Sequence, residues 1–117
     1  MFDAVHPSAR PGNDQEPGCV LTVVKRDEVV VWLIGELDAS VGPALDEVAT
    51  HAPRVARWLT IDASRVTFCG TTLLRFIATV SQTMHVSVRR PSVIFADILN
   101  LSGLSPRVLM DAPRRQV

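Results

Sequence analysis

A chain of 117 residues, 47% of them hydrophobic, is long enough to fold as one domain around its own core without a metal or a disulfide. Twelve basic and twelve acidic residues cancel to a formal net charge of zero, which argues against an electrostatic grip on nucleic acid or on an anionic membrane. With four Phe, two Trp and no Tyr, the core is expected to be aliphatic. Cys19 and Cys69 stand far apart, with no CxxC pair and no His-rich set beside them, so neither a metal site nor a cofactor is expected. The first residues lack the basic and apolar regions of a signal peptide, and no apolar run approaches the ~20 residues of a membrane span. The expectation is a reduced, cytoplasmic domain.

In chain order, residues 1–18 hold Pro7, Pro11, Gly12 and Pro17 with little to bury, and read as a mobile tail before a domain at 19–110. Residues 19–24 form a first strand. Lys25-Arg26-Asp27-Glu28 is a polar turn, and residues 29–34 are a second strand, apolar on both faces and so expected inside a covered sheet. After Gly35-Glu36-Leu37-Asp38, a helix opens at Asp38, Ala39 or Ser40, with Pro43 in its first turn, and runs to Ala52-Pro53. Trp58 to Asp62 is the third strand and residues 72–84 the second helix, its apolar positions Leu73, Phe76, Ile77, Val80 and Met84 spaced for one face. Residues 86–88 make a fourth strand. Ser92 caps a third helix with Phe95, Ile98, Leu99 and Leu101 on its apolar face, which Gly103 stops; residues 107–110 add an edge strand and 111–117 a tail. The order ββαβαβα predicts an α/β fold: a four- to five-stranded mixed sheet, an opening hairpin followed by parallel strands, with helices packed on it. The loops 36–38 and 69–72 both follow parallel strands and should meet at one edge of the sheet.

The junction Cys69-Gly70-Thr71-Thr72 is the functional candidate. Thr is a helix N-cap residue, and a phosphate on a hydroxyl there would meet free N–H groups and the positive end of the helix dipole. The same stretch also fits C-x5-R, from Cys69 to Arg75. That is the spacing of a cysteine-dependent phosphatase loop, in which a Cys69 thiolate would attack phosphorus while Arg75 holds the phosphate. Against that reading, Leu73 and Leu74 stand where amides must wrap a phosphate. His6, His51 and His85 are isolated, and Asp62 reads as a carboxylate bonding loop amides at a strand end.

Gly35-Glu36-Leu37-Asp38 with Gly42-Pro43-Ala44-Leu45 resembles the GELD and PxL signature of STAS domains, the anti-sigma factor antagonists. So do Ile61-Asp62-Ala63-Ser64-Arg65-Val66-Thr67-Phe68-Cys69, Val88-Arg89-Arg90-Pro91-Ser92 and Leu99-Asn100-Leu101-Ser102-Gly103-Leu104, over about residues 21–109. The resemblance implies a non-enzymatic regulator of transcription. Such a protein binds an anti-sigma factor, a serine/threonine kinase of the histidine-kinase-like ATPase type, and so frees the sigma factor. Phosphorylation in an Asp-Ser-Ser-Gly-type motif turns the binding off, and a phosphatase restores it. On this chain the motif falls on Gly70-Thr71-Thr72-Leu73, so Thr72 is the implied acceptor and Thr71 the second choice; Gly70 replaces the acidic residue and Leu73 the glycine. The implied partner surface is Glu36, Asp38, Ala39, Cys69, Gly70, Thr71, Thr72, Leu73 and Leu74. A second reading is a STAS scaffold or ligand-sensing domain without the phospho-switch.

Overall fold

The computed structural model describes residues 17–110; the expected tails, apart from Pro17 and Gly18, lie outside the described residues. Five strands stand in the spatial order β1-β2-β3-β4-β5: β1 Cys19–Val24, β2 Glu28–Leu37, β3 Trp58–Cys69, β4 His85–Arg89 and β5 Val108–Met110. β1 and β2 form the antiparallel hairpin, and every later pair is parallel. Between the parallel strands run α1 Gly42–Val55, α2 Thr71–Val80 and α3 Val93–Leu101. Three successive crossovers step across the sheet in one direction, so right-handed connections lay all three helices on one face.

Burial follows from that topology. On β4, Val86 and Val88 are buried while His85 is exposed and Ser87 and Arg89 are half-buried; on β1, Val20 and Thr22 are buried and Val23 is exposed. The core joins Val29, Val31, Leu33, Leu59 and Ile61 to Leu45 and Val48 of α1, Ile77 and Val80 of α2, and Phe95 and Leu99 of α3. The expectation that β2 lies inside a covered sheet therefore needs correction. Val30 is fully buried on the second face but is not part of the core cluster, and further along that face Trp32 and Ile34 are half-exposed.

The local sequence accounts for the element ends. Gly35 sits at φ +81°, where the β2–β3 register shifts between Gly35 and Glu36, a bulge geometry that a Cβ disfavours. Asp38 caps a 3-10 turn, Ala39–Val41, by accepting from the Ser40 amide (3.0 Å); α1 follows with Pro43 in its first turn. Ser92 caps α3 by accepting from the Phe95 amide at 3.3 Å. Elsewhere the structure departs from expectation. β3 runs on to Cys69 instead of stopping at Asp62. α2 ends at Val80, with Met84 held beneath it by a bond from its amide to the Val80 carbonyl (2.9 Å). Leu101 is 87% exposed and leaves the apolar face of α3.

Candidate partner-binding site

The loops after β2 and β3 are stitched together by backbone. Leu37 and Cys69 are register partners, and the Gly70 amide donates to the Leu37 carbonyl at 3.2 Å. Asp38 and Gly70 are thus neighbours across the ends of two strands, and the acidic loop lies beside the entrance of α2. β3 reaches that point as an overhang, since β4 pairs with it only as far as Asp62. A bulge allows the overhang: Trp32 pairs with Asp62 but Ile34 with Arg65, so one residue is inserted on β3. Asp62 holds the bulge, its Oδ1 accepting from the Ser64 amide (3.2 Å) and hydroxyl (2.9 Å).

The N-cap of α2 is Gly70, with no side-chain cap, so the expected threonine cap is not formed and Thr71 and Thr72 are the first two helical residues. The first-turn amides, without a hydroxyl acceptor of their own, leave the positive end of the helix facing the junction. Thr71 is exposed. Thr72 is half-buried, its methyl carbon 3.6 Å from where a Cβ on Gly42 would stand.

Of the nine residues expected at the surface, two turn inward. Leu73 is wholly buried and Cys69 is 4% exposed, so neither side chain meets a partner; both fasten the junction to the core. Ala39 is exposed, and Glu36, Asp38, Gly70 and Leu74 are half-buried, as are Ala78 and Ser81 further along α2. Burial pushes the Cys69 thiol up to about 11, the reverse of what a thiolate nucleophile needs, and the phosphatase reading is left without its attacking group. The residue that sequence reasoning missed is Phe68. It is 47% exposed, and its ring lies against Gly70, with Cε2 3.7 Å from a Cβ position there. It lies on the part of β3 beyond Asp62, which β4 does not pair.

Among the described residues, no group of His, Cys, Asp or Glu could hold a metal ion, and no helix is long and apolar enough to cross a membrane.

One antiparallel hairpin, three parallel strands added in sequence order and helices on one face define the STAS-type α/β fold of anti-sigma factor antagonists. No protein-family model matches the chain, and no curated protein sequence matches it significantly. Solved structures do. The unphosphorylated anti-sigma factor antagonist SpoIIAA aligns with a TM-score of 0.64 at 20% identity, over 80% of this chain and 88% of its own. An anti-sigma factor antagonist from Mycobacterium paratuberculosis aligns with a TM-score of 0.68 at 23% identity, over 78% and 82%. The phosphorylated form of SpoIIAA, a Bacillus cell fate determinant, aligns with a TM-score of 0.56 at 17% identity, over 80% and 91%.

Proposed function

We propose that this chain is an anti-sigma factor antagonist, a cytoplasmic binding module without enzymatic activity that engages a kinase-type anti-sigma factor through the junction of its β2 and β3 loops. The observation carrying this reading is the stitched pair of loops. It presents Glu36, Asp38, Gly70 and Thr71, with Phe68 beside them, on a fold whose solved neighbours are anti-sigma factor antagonists. The switch would be a phosphate on Thr72, with Thr71 as the second position. A phosphate brings roughly −1.5 to −2 charges at pH 7. At the N-terminus of α2 the helix dipole offsets part of that charge, by about 0.3–1 kcal/mol, so the fold survives. Across an interface, next to Asp38 and Glu36, the added charge opposes association with an acidic partner surface. The switch acts on binding and leaves folding alone.

The test is incubation with ATP and a kinase-type anti-sigma factor from the same genome, followed by site mapping by mass spectrometry and a binding titration. The expected result is a stable complex that weakens on phosphorylation, and that Thr72→Glu weakens by tenfold or more. Binding with no phosphate on Thr71 or Thr72 would remove the switch and leave the module; absence of binding would overturn the reading itself.

A further inference from the structure

The face of the sheet opposite the helices carries a groove of about 440 Å³ over the middle of β2 and β3. That volume lies in the range of small-molecule sites, roughly 300–1,000 Å³. Its apolar lining comes from Leu21 of β1 and Trp32 and Ile34 of β2, and its polar rim is Asp62, Arg65 and Arg90. Two backbone irregularities put the arginines there. The β3 bulge makes Arg65, in place of Ser64, the register partner of Ile34. Arg90, immediately after β4, has φ +49°, the one positive value at a residue other than glycine among the described residues. A non-glycine residue in that region stores strain and is held there by its surroundings. In this conformation Arg90 Nη2 reaches Asp62 Oδ2 at 2.5 Å, while the neighbouring Arg89 places Nε 3.3 Å from the same oxygen and its guanidinium 5.6 Å from the centre of the Trp32 ring.

The charge arithmetic of this cluster is uneven. One carboxylate, 2% exposed, faces two guanidiniums, which leaves one positive charge in excess. Asp62 is saturated, since Oδ1 is taken by Ser64 and Oδ2 by both arginines. Arg90 is not: a guanidinium has five N–H donors in a planar fork, and its side chain is 57% exposed at the rim. An apolar floor with an aromatic ring, ending at a half-exposed guanidinium already fixed on one side by a buried carboxylate, fits a molecule with a matching division. The geometry points to a binding site for a small amphiphilic carboxylate, its aliphatic body on Leu21, Trp32 and Ile34 and its carboxylate on the free edge of Arg90. The site lies on the uncovered sheet face, away from the β2–β3 loop junction, and stands independently of the partner-binding reading.

The test uses octanoate and octan-1-ol, equal in chain length and different in charge, on a Trp58→Phe variant in which Trp32 is the only indole. Octanoate is expected to shift Trp32 emission saturably and to bind at least tenfold more tightly than octanol. Amide chemical-shift changes should concentrate on Leu21, Trp32, Ile34 and Arg65. Arg90→Gln should bring the two ligands to within about threefold of each other, with circular dichroism confirming that the variant is folded. The octanol comparison needs no change at Arg90, so it decides even if the Arg90→Gln variant unfolds. No saturation at millimolar octanoate, equal affinity for the two ligands, or shifts centred on another surface would each overturn the proposal.

Discussion

Replacing Asp62 by Asn isolates what a single buried carboxylate does for the β3–α3 region. Asn keeps an oxygen for the Ser64 amide and hydroxyl, so the bulge retains its local bonds, while both arginines lose the negative charge they share. Hydrogen bonds to charged groups contribute about 1.5–3 kcal/mol each when well shielded. Arg89 and Arg90 are 37% and 57% exposed, so solvent screening reduces each to roughly 1 kcal/mol, or about 2 kcal/mol for the pair. In a domain of this size that corresponds to a drop in Tm of about 10 °C. The pH dependence has a definite sign. Burial alone would raise the Asp62 pKa, but the Arg90 guanidinium and the two Ser64 donors outweigh it and hold the carboxyl below its ordinary value of 3.8. A carboxylate depressed in the folded state contributes stability above the unfolded pKa and loses it as pH falls through the folded value. Urea unfolding followed by tryptophan emission at pH 7, 5 and 3 should therefore show the wild type ahead of Asp62→Asn by about 2 kcal/mol at pH 7, with the gap closing toward pH 3. A gap that is absent at pH 7, or equally large at pH 3, would refute this account of the Asp62 cluster.

Other consequences are as definite. A Cβ on Gly18 would stand 2.2 Å from the Glu36 carbonyl oxygen and 2.7 Å from Val41 Cγ1, so Gly18→Ala should cost about 1–3 kcal/mol in urea unfolding, and a neutral result would contradict this packing. Thiol labelling at pH 8 should modify Cys19 first and Cys69 only as urea is added, since Cys69 is buried and its pKa raised to about 11; equal rates in the native state would exclude that burial. Phe68→Ala, at a half-exposed position, should change unfolding free energy by no more than about 0.5 kcal/mol. The same substitution should weaken anti-sigma factor binding roughly tenfold, as loss of an aromatic anchor does, and unchanged affinity would place the interface elsewhere.

The order of elements was legible because each had its own signal: β-branched runs, a polar turn, Pro43 in a first helical turn and Ser92 before an apolar helix. What escaped was the continuity of β3. Asp62-Ala63-Ser64 has the composition of a loop, yet Asp62 satisfies the Ser64 amide and hydroxyl itself, so the strand absorbs one extra residue and continues. α2 was overestimated for a related reason. Met84 falls at helical spacing from Val80, and a turn beyond the helix end delivers it to the core as well as a further helical turn would. At the junction, two threonines at a helix start favoured a hydroxyl cap, but Gly70, bonded by its amide to Leu37, takes the cap position because the pairing of β2 with β3 fixes where the strand ends. Tertiary pairing overrode local propensity there.

That pairing also explains how one short motif can both anchor and present. From Phe68 to Leu73 the residues divide by direction. Cys69 and then Leu73 enter the core, the Gly70 amide is spent on Leu37, and Phe68, Thr71 and part of Thr72 face outward. The inward residues make the position of the outward ones a property of the core, so no loop rearrangement is needed to expose a hydroxyl at the start of α2. Leu73, where the resemblance to STAS domains implies a glycine, sits on the anchoring side of this division, and its side chain is wholly buried, away from Thr71. Leu73 therefore bears on the stability of the junction, while the ring of Phe68 lies against Gly70 and the methyl of Thr72 against Gly42.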